Sequence, residues 1–266
     1  AISNPLGNSI ITNYGWRIGY IVLGLCAFVL SVPIIILLLK VSPEEKGLLP
    51  YGAEKLEVSA GASIASALGG VSAKDAMRTV PFYFAVAFNT LLVMSGTVQQ
   101  HIPGFTTSVG FNAAVGAFTL SACNIGIILG KLAMGVLNDK LGVVKATLCG
   151  GVLGVAGILC IAFAPSKNML YAGGFLFGIA MAMATTQAPM MVRTFFGNKE
   201  YSQIYSNIAS VSTLFQAFIM TFYAWVYEAT NNYGYSILLA CVFLVLAITS
   251  IIALKATSKS LEKYRS

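Results

Sequence analysis

Seven apolar runs, each long enough to cross a bilayer, alternate along the chain with mostly short polar connections: Ile18 to Leu39, Pro81 to Gln100, Ala113 to Leu137, Val143 to Ala164, Met169 to Val192, Ile204 to Tyr227 and Tyr233 to Leu254. A hydrocarbon core of ~30 Å is crossed by about 20 residues of helix, and inside it the backbone has to satisfy its own hydrogen bonds. The pattern predicts an all-α integral membrane protein of seven transmembrane helices, called spans one to seven below.

The polar positions inside the runs are not scattered. Asn89, Gln99 and Gln100 sit in span two, Asn124 in span three, Gln187 in span five, and Asn207 and Gln216 in span six, whereas spans one, four and seven carry no carboxamide. An amide is costly to bury in lipid, so such side chains turn toward protein or water. The resulting order (poor, rich, rich, poor, rich, rich, poor) predicts two three-helix repeats around a shared polar cavity. At ~100° per residue, Tyr205, Ser212, Gln216 and Tyr223 fall within an arc of about 40° on span six. Span two aligns Asn89, Gly96 and Gln100 in the same way, with His101 beside them. These stripes predict either a solute pathway or hydrogen bonds between helices in a sealed bundle.

Small residues one turn apart, Gly126 and Gly130, Gly150 and Gly154, Gly174 and Gly178, predict close helix packing. Pro189 offers no N–H to the carbonyl of Thr185, so span five is expected to bend beside Thr185, Thr186 and Gln187.

Composition closes off the water-soluble alternatives. The chain is 57% hydrophobic with only 9% charged residues, too little charge to solvate a globule. The net charge of +7 has a topological origin. Lys40, Lys46, Lys55, Lys74 and Arg78 follow span one, Lys140 and Lys145 follow span three, Arg193 and Lys199 follow span five, and Lys255, Lys259, Lys263 and Arg265 follow span seven. The alternate loops hold only Lys167. Basic residues resist translocation, so the tail and the odd-numbered loops are expected on the cytoplasmic side of the plasma membrane. This accounts for the charge without a nucleic-acid partner; lipid is the partner it implies. Cys26, Cys123, Cys149, Cys160 and Cys241 all fall inside spans with no metal-ligand spacing, and are expected to act as small buried hydrophobes. No metal or cofactor is expected.

Domain organisation follows from the one long polar stretch. Residues 1–39 read as the end of a preceding bundle, a remnant plus one helix; 40–79 as a cytoplasmic linker with a short helix at Ala73 to Arg78; 80–254 as a six-helix bundle; and 255–266 as a cytoplasmic tail. The chain opens on Ala1, and Ala1 to Tyr14 is too short to span. The expectation is a C-terminal part of a longer membrane protein.

After span three the sequence reads Gly135-Val-Leu-Asn-Asp139-Lys140-Leu-Gly142-Val-Val-Lys145, preceded by Gly130-Lys131. This resembles the signature loop of the major facilitator superfamily, although Val143 and Val144 stand where arginines are common. Gly15-Trp16-Arg17, Pro43-Glu44-Glu45-Lys46-Gly47, Gln100-His101-Ile102-Pro103 and Phe196-Gly197-Asn198-Lys199-Glu200-Tyr201 look like the oxalate/formate antiporter and monocarboxylate carrier branch. The resemblance implies helices six to twelve of a twelve-helix carrier, whose N-terminal half would be the partner of these spans. It also implies alternating access for a small-molecule substrate, as an antiporter or symporter.

In the carriers it resembles, an arginine at the place of Lys131 helps bind the substrate carboxylate. Lys131 lies seven residues after Asn124, hence on the same face. The dicarboxylate members carry a lysine in the helix matching span six, where this chain has Ile208 and no charge from Ile204 to Tyr227. A monocarboxylate is therefore expected, with export of a neutral or drug-like solute as the alternative. The expected substrate contacts are Lys131, Asn124, Asn89, Gln187, Ser212, Gln216 and Tyr205, and the expected gating residues Gly135, Asp139, Lys140, Gly142 and His101. Asp139 is expected near Asn198 to Ser202, where the first free amides of span six favour an anion. No span contains Asp or Glu and the chain has a single histidine. That argues strongly against the convergent acid, base and nucleophile clusters an enzyme needs.

Overall fold

The computed structural model describes residues 10, 14–38 and 69–264. The linker residues 40–68, the motif Pro43 to Gly47, the first nine residues and the last two lie outside the described residues. The chain divides into two compact units, residues 1–62 and 63–266.

In the first unit, α1 (Trp16–Leu38) is a single helix that is exposed almost all round. Trp16 meets Tyr20 edge-on at 6.4 Å, and the Arg17 guanidinium lies 5.0 Å above the Trp16 ring. An aromatic beside a cation at a helix end suits the headgroup level of a bilayer.

The second unit holds the other six spans. A short helix α2 (Ala73–Ala76) leads into span two, made of α3 (Val80–Thr97), a 3-10 turn (Val98–His101) and α4 (Ile102–Ser108). Span three is α5 (Ala113–Leu141) and span four α6 (Val143–Ala162). Span five is α7 (Lys167–Met181) followed by α8 (Met183–Phe196), span six α9 (Tyr201–Thr230), and span seven α10 (Tyr233–Thr257), continued by a 3-10 turn (Ser258–Tyr264). All seven runs predicted to cross the bilayer are helical and long enough to do so. No strand occurs among the described residues, only one isolated bridge between Gly70 and Gly197.

Packing within this unit has a two-fold pattern. Span two packs on spans six and seven; span five packs on spans three and four; and spans four and seven pack on each other. Exchanging two with five, three with six and four with seven reproduces the same set of neighbours. The sequence expected this arrangement of two three-helix repeats.

Close approach comes from the glycines the sequence singled out. A Cβ on Gly178 would run into the Cys123 carbonyl and stand 3.0 Å from Gly126 Cα; one on Gly174 would stand 2.8 Å from the Thr119 carbonyl oxygen. Spans three and five thus meet backbone to backbone.

Three expectations are corrected here. The loop expected between spans three and four is almost absent: α5 continues through Asn138, Asp139 and Lys140 to Leu141, and Gly142 alone makes the turn. At φ 78 it adopts a left-handed conformation that glycine enters without steric cost, while its N–H still bonds the Asn138 carbonyl. Span five breaks at Ala182, ahead of the expected bend at Thr185. The Ala182 carbonyl receives the amides of Thr185 and Thr186 at 3.3 and 3.2 Å and their hydroxyls at 3.2 and 2.8 Å. Threonine back-bonding of this kind competes with the regular ladder and moves the irregularity upstream of Pro189. The cysteines, finally, do not share one environment: Cys123 is buried, but Cys26 and Cys149 are exposed.

Candidate functional site

Spans two, five and six enclose a groove of about 490 Å³. Leu92, Val93, Gly96, Thr97, Gln99 and Gln100 of span two form one wall, Thr213, Gln216, Ala217 and Met220 of span six another, and Met181 and Ala184 of span five the floor. Span three joins at the rim, where Gln99 Nε2 donates to Asn124 Oδ1 at 3.3 Å. Spans four and seven contribute nothing to the lining, as the carboxamide pattern predicted. The lining offers three carboxamides, two threonines and two methionines, and no charged side chain. Such a lining gives and accepts hydrogen bonds without fixing a charge.

Two polar stripes converge on this groove, but much of each stripe serves to hold helices together. Asn89 Nδ2 donates to Ser212 Oγ at 2.7 Å, the Thr90 hydroxyl lies 3.1 Å from the same oxygen, and Ser212 donates to the Ile208 carbonyl at 2.9 Å. Asn89 and Ser212 are 4% and 2% exposed, which makes them a sealed tie between spans two and six. Farther along, Tyr223 Oη donates to the Met94 carbonyl at 3.0 Å. Gln216, one turn from Ser212, opens into the groove.

Gln187 lies away from the groove. It is fully buried, its Nε2 directed at Met134 Sδ at 3.3 Å, and its Oε1 has no partner. The break at Ala182 redirects the rest of span five, and this turns Gln187 into the contact with span three. Tyr205 is half-buried near the start of span six, stacked on Tyr201 at 6.0 Å with the planes 5° apart. Lys131 is exposed on α5, two turns from Asn124 and on the same face.

The expected gating residues divide by position. His101 sits at the end of span two between Tyr223 and Tyr233, with ring centroids 5.8 and 6.0 Å away. Its Nε2 is buried without a partner, and Tyr227 stacks on Tyr233 at 3.8 Å. Four aromatic rings thus cluster next to the Gln100 and Met220 side of the groove. Gly135, Asp139, Lys140 and Gly142 are all exposed at the opposite end of the bundle. A second, more polar hollow of about 560 Å³ lies at that end, lined by Arg193, Asn198, Glu200 and Ser202 among others. Asp139 is not part of it. A carboxylate that lines it is Glu200, whose Oε2 accepts the Ala73 amide at 2.8 Å. It meets the start of α2, not of α9. Sequence reasoning missed Glu200 because its partner lies 127 positions away; the signal present was an acid opposite a helix start capped by Ser72.

Comparison with known proteins agrees with this architecture. Two arabinose-proton symporters, from Escherichia coli strains K12 and O157:H7, are each 29% identical over 128 residues, covering 47% of this chain and 27% of theirs. A Bacillus subtilis protein, YwtG, named for metabolite transport, is 29% identical over 96 residues, 36% of this chain and 21% of its own. The matched stretches therefore span only about a quarter of the length of these relatives. The Major Facilitator Superfamily model matches residues 102–264, more than half of the chain, including spans three to seven in full. With seven membrane-crossing helices and a repeated three-helix packing, the chain belongs to the Major Facilitator Superfamily.

Proposed function

We propose that these spans form the solute-binding part of a secondary transporter that works by alternating access and moves a small polar organic molecule without covalent chemistry. The observation that carries this reading is the groove itself: carboxamides from two spans converge on one hollow, in a bundle with no acid in its membrane interior. Its size suits a molecule of a few to a dozen heavy atoms.

The uncharged lining favours a neutral, hydroxyl-bearing solute, for which Gln99, Gln100 and Gln216 supply both donors and acceptors. The likeness to arabinose-proton symporters supports the same class. The second reading, a monocarboxylate, follows from the resemblance to the oxalate/formate and monocarboxylate branch and rests on Lys131. That lysine shares a helix face with Asn124 at the groove rim and supplies a point charge, though without the paired geometry of an arginine. In both readings the bundle works with an N-terminal half, the lysine-bearing ends face the cytoplasm, and the membrane is the plasma membrane. His101 and its tyrosines act as the outer gate, while the face bearing Asp139 acts as the inner one.

Counterflow in liposomes made with the full-length protein separates the two solute classes. With Lys131→Gln, loss of carboxylate exchange with normal insertion supports the anion reading; unchanged exchange of a pentose supports the neutral one. Retention of all exchange in Gln216→Leu, whose side chain is central to the groove, would overturn both.

A further inference from the structure

Where span two begins, the chain is fastened to the turn between spans five and six. Asn198 N donates to the Gly69 carbonyl at 3.2 Å and Val71 N to the Phe196 carbonyl at 2.9 Å, forming the isolated bridge Gly70–Gly197. The approach leaves no room for a side chain: a Cβ on Gly197 would stand 2.5 Å from the Gly69 carbonyl oxygen, and one on Gly70 2.8 Å from that of Phe196. Gly197 also has a φ of 84, left-handed backbone that strains any other residue. Three residues on, Glu200 Oε2 takes the first amide of α2 at 2.8 Å. An anion at a helix start is favoured by the unpaired amides there. Val71, Ala73 and Ala76 are at most 2% exposed beneath this contact, and the Phe82 and Phe196 rings meet edge-on at 6.5 Å.

We propose that residues Gly69 to Ala76 form a strap that sets the separation of spans two and six at this end of the bundle, with Glu200 as its polar lock. Neither span holds the other by backbone contact along its length. Besides apolar packing, their seam is held by the Asn89 and Thr90 tie to Ser212 and by the Tyr223 hydroxyl, side-chain bonds that are separable. The strap adds two backbone hydrogen bonds and a charge-assisted one where the helices begin, about 15–30 Å along the axis from the groove residues at 1.5 Å per residue. It holds this end closed, and its release lets the two groove walls part from this side. The consequence for the groove rests on the transporter reading; the strap itself does not.

Spin labels test the strap directly. Nitroxides at Val80→Cys and Ser206→Cys, both exposed positions, are placed in the otherwise cysteine-free full-length protein in nanodiscs. The expected result is a narrow distance distribution that widens or shifts by about 4 Å or more in Gly197→Val and, to a smaller extent, in Glu200→Ala. Hydrogen exchange at Val71 and Asn198 quickens at least tenfold in the same variants. An unchanged distribution in a variant whose amides have opened overturns the strap. Should Gly197→Val fail to insert, Glu200→Ala decides alone, and unchanged exchange and distances there also overturn it. Labelling of Ala217→Cys by an impermeant thiol reagent reads the groove separately, so failure of the transporter reading leaves the distance result standing.

Discussion

Replacing Ser212 by alanine tests whether the tie between spans two and six is structural. The hydroxyl accepts Asn89 Nδ2 at 2.7 Å, sits 3.1 Å from Thr90, and is 2% exposed. Asn89 Oδ1 already lacks a partner, so Ser212→Ala leaves a buried carboxamide with neither end paired to its neighbour. A buried donor stranded in this way costs about 1–3 kcal/mol. Interhelical hydrogen bonds inside membrane bundles average nearer ~0.6 kcal/mol, because the separated helices find other partners. The small change in volume adds little, and the expected loss is about 1–2 kcal/mol. The double variant Asn89→Leu, Ser212→Ala removes both partners and restores half or more of that loss, since the orphaned amide is gone. The assay is reversible unfolding in mixed micelles, run as a double-mutant cycle beside solute binding. The reasoning is refuted if Ser212→Ala leaves stability unchanged while abolishing binding, because Ser212 would then touch solute and not Asn89.

Gln216→Leu should lose most solute binding with stability altered by no more than about 0.5 kcal/mol, because Gln216 is exposed to the groove and holds no helix; parallel thermal unfolding and binding titrations check it. Gly178→Val should prevent normal folding or destabilise by about 3 kcal/mol or more, since even a Cβ meets the Cys123 carbonyl and overpacking alone costs about 1–3 kcal/mol; size-exclusion behaviour after extraction reads this. Asp139→Asn should change stability by less than about 0.5 kcal/mol, its carboxylate being exposed at the end of α5; a loss above about 1 kcal/mol would mean that this carboxylate is engaged.

The spans were legible because lipid leaves the backbone so little choice: once a run is apolar and long enough, helix is what remains, and most ends fall within a few residues of the apolar limits, span two running on past Gln100 to Ser108. The repeat and its cavity-facing members were legible for a related reason, as carboxamides avoid the lipid face. What a carboxamide touches was not legible. Gln187 and Gln216 look equivalent in the sequence, yet one is sealed against Met134 and the other lines the groove. The difference is the helix break at Ala182, which depends on two threonine hydroxyls finding the same carbonyl. The turn after span three was read as a loop, whereas α5 carries the Asp139 carboxylate along its own axis. Glu200 escaped notice because a capping partner across 127 positions leaves no local trace.

The two-fold pattern also explains why a strap is needed at one place only. Spans three and five, and spans six and two, occupy corresponding positions in the two repeats, so the same geometric problem is solved twice. The first pair solves it with glycine: Gly126, Gly174 and Gly178 let the backbones touch, and a contact spread over many short-range atom pairs holds without directional partners and resists sliding. The second pair solves it with side chains, Asn89 and Thr90 to Ser212 and Tyr223 to the Met94 carbonyl. Such bonds exchange for water or solute at modest cost wherever a groove admits them, and the groove adjoins these bonds, with Gln216 between Ser212 and Tyr223 on span six and Gln99 and Gln100 beyond Met94 on span two. On the proposed transporter reading the binding face needs a seam that yields to solute, and such a seam cannot also fix the distance between the helices it joins. The strap at Gly70 and Gly197 supplies that constraint from outside the membrane interior, and the glycine seam, which has no solute to admit, does without one.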